Sequence, residues 1–348
     1  MPKFALCKQL LILIALDIFA ISVKLLSHFQ VMMKKLIPLV SINALKMQFV
    51  CVPLNTIGFI NALKIVLLEK FGFISVKIAS QGDIVMRQFI SANQMKMAYQ
   101  IDGPENGPTI FLSNSLMSSI EMWDRTLPAL TDRYRVIRYD TRGHGQSEVT
   151  PGPYSIALLA KDLISLMHAL GIKKAHFAGL SMGGMICQYI GANYPENVLS
   201  LSLCDTASEM PPRSMWEERF VIARSQGIAG LVDGTIKRWF LNDFIEREPD
   251  QIERVRKMIL ATPVEGYLGC ASAVRDMAQS TMLLKIKAPT LILLGRQDPA
   301  CTYEQSTVLH RLITHSSLVT IDQAAHLSNI EKPAEFNHAL RRFLDSVA

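Results

Sequence analysis

The sequence predicts an α/β fold: a mainly parallel sheet with helices on both faces and a helical cap inserted into it. Three observations predict it. From residue 86 onward, short apolar runs bounded by turn residues alternate with longer helical patterns, as a parallel sheet with helical crossovers does. The alternation breaks at about residues 207–284, nearly 80 positions without a convincing strand, which exceeds an ordinary crossover. The third is a strand-turn-helix passage centred on Gly179-Leu180-Ser181-Met182-Gly183.

Met86 precedes two strand-like stretches, RQFISA and MKMAYQID. Strands are then expected at residues 109–112 and 134–139, both short apolar runs. Residues 154–170 carry apolar side chains at three and four spacing and end at Gly171, a residue suited to a helix C-terminus. Strands at 175–179 and 198–203 flank the helix that starts behind Ser181. The cap that follows is helical, charged, and carries Trp216, Trp239 and Phe240. Strands at 289–294 and 317–321 complete the sheet, and Pro333 opens the last helix where its missing N–H costs nothing.

Charge is unevenly spread along the chain. Of a net +6, residues 1–85 contribute all: nine Lys, no Arg and three acids, against 27 basic and 27 acidic residues thereafter. A nucleic-acid surface needs clustered Lys and Arg, so the body of the protein gives none of that support. The first 85 residues are also the most apolar, with 53 hydrophobic positions. Within them, residues 10–23 (LLILIALDIFAISV) fall short of the roughly 20 that span a bilayer. Behind Lys3 and Lys8 that run resembles the apolar region of a signal peptide, although Asp17 counts against it. Residues 49–68 are long enough but are interrupted by Pro53, Asn55, Asn61 and Lys64. Three readings stand: an anchor or signal, an ordered accessory segment, or a stretch outside the mature protein. The switch to globular composition at Met86 favours the last, which divides the chain into 1–85 and a domain at 86–348. Membrane contact is expected only if residues 1–85 are retained.

Six cysteines show neither a CxxC pair nor metal-like spacing with the eight histidines. They read as reduced, mostly buried thiols, so a reducing, cytoplasmic location is expected, with an anchored or exported protein as the alternative.

The chemistry centres on Ser181. Its pentapeptide follows the strand AHFAG and opens a helix, the setting of a nucleophile elbow, in which Gly179 and Gly183 leave room for a tight turn. A serine hydroxyl needs a base, and the base needs a carboxylate to orient it. Asp298 in GRQDP and His326 in QAAHLSN both lie just past strands, in the chain order serine, acid, histidine. Asp205 in SLCDT is the rival acid. The amides of Met182 and Leu116 are the candidate oxyanion donors, the latter from the loop Asn114-Ser115-Leu116. The segment DTRGHGQS, residues 140–147, reads as a tight loop beneath the site, with substrate contact as the alternative. His168, His176, His310, His315 and His338 read as packing or surface residues.

GLSMGGM, DTRGHGQS, the serine-acid-histidine order and the inserted cap resemble the α/β-hydrolase fold over about residues 86–348. More narrowly, SNSLMSSIEMWD, LSLCDTA, the Trp216 and Arg219 pair, AVRDM and AAHLSNIEKPAEF resemble 3-oxoadipate enol-lactonases of the β-ketoadipate pathway of aromatic degradation. In that family the first loop usually reads NSLG, and Met117 here holds the glycine position. The resemblance implies Ser181 as nucleophile, His326 as general base and acid, Asp298 as its partner, and no metal or organic cofactor. It also implies a small lactone bearing a free carboxylate, for which a bidentate arginine is the fitting partner. Arg219 and Arg275 in the cap are the candidates beside Trp216, with Arg142 third. The competing activities are hydrolysis of other small esters or of carbon-carbon bonds, and slow-turnover ligand reception.

Overall fold

The computed structural model describes residues 67–69, 72–74 and 87–347. The apolar run at 10–23, all but the last two residues of the run at 49–68, Met86, Cys7 and Cys51 lie outside the described residues. Two short strands, β1 (Leu67–Glu69) and β2 (Gly72–Ile74), pair antiparallel. Among the described residues no helix is long and apolar enough to cross a membrane.

Residues 87–347 build an eight-stranded sheet. Its strands are β3 (Gln88–Ala92), β4 (Met95–Asp102), β5 (Thr109–Ser113), β6 (Arg135–Tyr139), β7 (Ala175–Leu180), β8 (Val198–Cys204), β9 (Thr290–Gly295) and β10 (Ser316–Ile321). Their order across the sheet is β10-β9-β8-β7-β5-β6-β4-β3. All neighbours from β10 to β6 run parallel, and β4 and β3 close that edge antiparallel. The expected strands match within one or two residues at their ends. β7 and β9 are buried throughout, because helices cover both faces of a parallel sheet, so they read as continuous apolar runs without alternation. Inside, Phe111 and Phe177 of adjacent strands stack with ring centroids 5.5 Å apart.

The first α-helix among the described residues, α1 (Ile156–Ala169), starts two residues later than its periodicity suggests because the Ser155 side chain caps it, accepting from the Leu158 N–H at 3.2 Å. At its other end Gly171 has φ +70°, and the Gly171 and Ile172 amides bond the His168 and Met167 carbonyls. That is a Schellman closure, and the left-handed residue it needs is why glycine follows this helix. α2 (Met182–Asn193) follows Ser181 directly.

The cap is helical, as expected. It comprises α3 (Arg213–Gln226), α4 (Ala229–Trp239), α5 (Asn242–Arg247), α6 (Pro249–Leu260) and α7 (Val264–Asp276). The segments that enter and leave it meet in an isolated antiparallel bridge between Glu209 and Ala278, so the insertion departs and returns at one place. The chain then runs through α8 (Tyr303–Leu312), the short α9 (Ser328–Glu331) and α10 (Pro333–Ser346). Cys187, Cys204, Cys270 and Cys301 are buried free thiols.

Candidate active site

Ser181, Asp298, His326 and Leu116 all follow the carboxyl ends of parallel strands, β7, β9, β10 and β5 respectively, where open α/β sheets place their sites. Ser181 occupies the turn between β7 and α2 at φ 55°, ψ −118°. The turn is held by the Ser181 N–H donating to the Cys204 carbonyl at 2.9 Å and by Thr206 Oγ1 donating to the Ser181 carbonyl at 2.7 Å. Space around it is minimal: a Cβ on Gly183 would lie 2.0 Å from the Ser113 carbonyl oxygen, and one on Gly179 would lie 2.2 Å from the Gly183 oxygen. Both obstacles are backbone. Gly183→Ala is therefore expected to cost about 2–3 kcal/mol of stability, with the overpacked elbow unable to relax. Chemical denaturation checks this, and a wild-type midpoint would refute the tightness of the turn.

His326 Nδ1 lies 2.8 Å from Asp298 Oδ2, and both residues are buried. The other Asp298 oxygen accepts the Ala300 and Cys301 amides at 2.7 and 3.0 Å, so the carboxylate is oriented from two sides. The loop around His326 is clamped as well. The Ala325 amide donates to Glu331 Oε2 at 2.6 Å, and the Leu327 amide donates to the Trp239 carbonyl at the end of α4 at 3.1 Å.

Asp205, the rival acid, has different partners. It accepts from the Gly295 amide at 2.7 Å and from Ser328 Oγ at 2.5 Å. Burial, and after it the nearby Asp298 charge, push its carboxyl well above the usual range. It ties the ends of β8 and β9 to α9, while Asp298 is the carboxylate that meets the imidazole.

A cavity of about 290 Å³ between sheet and cap is lined by Ser181, His326, Leu116, Trp216, Arg219 and Arg238, among others. The Leu116 amide donates to nothing among the described residues. Met182 is the first residue of its helix, where no intrahelical carbonyl lies within reach of the amide. Arg219 crosses the cavity wall, with Nε donating to the Tyr267 hydroxyl at 3.0 Å and its guanidinium 5.4 Å from the Trp216 ring. Trp216 itself donates from Nε1 to the Met210 carbonyl at 3.0 Å.

Two of the arginines named from sequence are placed elsewhere. Arg275 does not line the cavity; it donates to Glu217 at 2.7 Å and, through two nitrogens, to Asp276 at 2.8 and 2.6 Å. Two carboxylates already neutralise it. Arg142 is equally committed, forking onto Asp162 at 2.7 and 2.6 Å beneath the site. Arg238, which no motif in the sequence marks, stands beside Arg219 instead. Desolvation, and after it the Arg219 charge, lower its pKa to about 10, so it stays cationic at neutral pH. Among the described residues neither Arg219 nor Arg238 has a carboxylate within ion-pair distance. The available signal was helical spacing: Thr235, Arg238 and Trp239 stand three and four apart on α4, and all three line the cavity.

Asp298, Cys301 and His326 bring potential metal-ligand atoms within 4.8 Å of one another. The chemistry of that set does not suit a metal. Burial and the Asp298 charge push the Cys301 thiol well up, keeping it protonated, and the Asp298 oxygens are taken by His326 and two amides. The segment DTRGHGQS forms a loop beneath the site, as expected, with Asp140 accepting the Ile120 and Gln146 amides at 3.0 and 2.9 Å. Met117 sits at φ +64°, a left-handed conformation that costs a non-glycine residue about 1–2 kcal/mol.

A family model described as alpha/beta hydrolase fold matches residues 108–333. The 3-oxoadipate enol-lactonase 2 of Acinetobacter baylyi is 34% identical over 251 residues, covering 72% of this chain and 94% of that protein. A putative carbamate hydrolase RutD of Pseudomonas syringae is 29% identical over 246 residues, covering 69% of this chain and 95% of that protein. Among solved structures, the enol-lactonase from Burkholderia xenovorans LB400 is 36% identical with a TM-score of 0.73, covering 74% of this chain and 100% of that one.

Proposed function

The chain belongs to the α/β-hydrolase fold family, and from that premise we propose that it is a serine hydrolase of small anionic lactones, acting on 3-oxoadipate enol-lactone in the β-ketoadipate pathway. The observation that carries the substrate class is the pair Arg219 and Arg238, without carboxylate partners among the described residues, in the cavity that Ser181 and His326 line. A free carboxylate on the substrate is the partner such a pair lacks.

In this reading Ser181 Oγ attacks the lactone carbonyl and its proton passes to His326 Nε2, while Nδ1–H donates to Asp298. The amides of Leu116 and Met182 stabilise the oxyanion. The ring C–O bond breaks as His326 returns the proton to the departing enol, which tautomerises to the ketone within the acyl-enzyme. Water then attacks the acyl carbon, gives its proton to His326, and Ser181 leaves with that proton as 3-oxoadipate is released. No step requires a metal or organic cofactor. Among the described residues the four cysteines are buried free thiols, which supports a reducing, cytoplasmic setting.

Assays with the enol-lactone and a neutral aryl ester test the reading. Arg219→Ala and Arg238→Ala are each expected to raise KM for the lactone by roughly 10- to 100-fold, the worth of a charge-assisted hydrogen bond, and to leave KM for the neutral ester nearly unmoved. Arg275→Ala should move neither, since its guanidinium is held by Glu217 and Asp276. Equal impairment on both substrates would defeat the anion clamp. Carbamate turnover without lactone opening would assign the activity suggested by the RutD likeness instead.

A further inference from the structure

The loop after β5 distributes its backbone amides unevenly. Ser115 N–H meets Met122 Sδ at 3.3 Å, Ser118 N–H donates to the Ser115 carbonyl at 3.3 Å, and Met117 N–H donates to His144 Nε2 at 3.0 Å. Leu116 N–H is left without a partner among the described residues. His144 comes from the turn after β6 and is fully buried. Its Nδ1 lies 3.3 Å from the Arg142 carbonyl, so the proton belongs on Nδ1 and Nε2 presents a bare lone pair to Met117. Burial pushes the imidazole down to about 4, which keeps it neutral. The turn that carries it is itself fixed, since Arg142 forks onto Asp162 and the Arg142 carbonyl also accepts from Cys270 Sγ.

We propose that His144 is a positioning residue for the oxyanion hole: by accepting the Met117 N–H it fixes the Leu116–Met117 peptide plane and leaves the Leu116 N–H facing Ser181. This rests on the reading of Leu116 as an oxyanion donor. Met117 is a non-glycine residue held at positive φ, a conformation that persists when its surroundings over-determine it. His144 supplies that constraint from below. From above, Met117 Sδ lies 3.8 Å from Arg219 Nη2 and 4.0 Å from Thr235 Oγ1, which ties the same residue to the cap.

The test compares His144→Leu, which removes the acceptor, with His144→Gln, whose side-chain carbonyl can replace it, in the full chain on a neutral aryl ester. His144→Leu is expected to lower kcat roughly 10- to 100-fold with KM within about threefold, less than outright loss of a donor, because the amide is misplaced and not removed. His144→Gln should recover most of that loss. Wild-type kcat in a folded His144→Leu, equal loss in both variants, or a change confined to KM would overturn the proposal. In wild-type protein, imidazole nitrogen NMR should find Nε2 unprotonated, and a protonated Nε2 would overturn it without any variant. Ser181→Ala run in parallel separates the two ideas. Activity surviving there rejects the serine mechanism itself, whereas its loss beside an unimpaired His144→Leu rejects only the role of His144.

Discussion

Ser181→Ala is expected to lower kcat by roughly four to six orders of magnitude on ester and lactone alike, with KM little changed, as removal of the nucleophile does in serine hydrolases. The residue left behind is still at the elbow: the Thr206 and Cys204 bonds that shape the turn engage the Ser181 backbone and survive the substitution. Stability should therefore stay near wild type while chemistry disappears. Steady-state kinetics with a fresh, singly expressed variant checks this, and retention of more than a few per cent of kcat would mean that another group attacks the carbonyl.

Asp298→Asn is expected to cost about 10⁴-fold in kcat, because an amide can donate to Nδ1 and so trap the wrong tautomer. The substituted side chain would keep one acceptor oxygen for the Ala300 and Cys301 amides, so the loop should hold its shape. Asp205→Asn makes the contrast. That carboxyl meets Gly295 and Ser328, so its replacement should be felt more in thermal stability than in kcat. If Asp205→Asn were the more damaging of the two in kcat, with the fold intact, the roles of the two acids would be reversed.

How much of this was legible in the sequence follows from what each feature depends on. The strands and their order in the chain were readable because a buried strand is a local object: TLILLG between turn residues is a strand wherever it stands. The elbow was readable because its glycines and serine stand within five residues of one another; Gly179 answers crowding from Gly183 and Gly184 in the same turn, whereas the wall against Gly183, Ser113 and Asn114, comes from the end of β5. The cap was legible as a break in alternation, although its closure through Glu209 and Ala278 was not. Arg275 reads as a candidate and Arg238 passes unmarked because a sequence names charged residues without saying which face of a helix they occupy or which acids already hold them. Glu217, which lies 58 residues from Arg275, is what removes that arginine from consideration.

By itself the sequence determined the α/β architecture, the helical insertion, and Ser181, Asp298 and His326 as the candidate chemical groups, because periodicity, turn chemistry and strand ends are written within a few residues of one another. The tertiary structure alone decided the pairings. Asp298 and not Asp205 reaches the imidazole, Arg238 and not Arg275 joins Arg219, and His144 takes up an amide 27 residues away. Each is a meeting of segments that the chain holds apart, and hydrogen bonding and desolvation are set by what arrives from elsewhere in the fold.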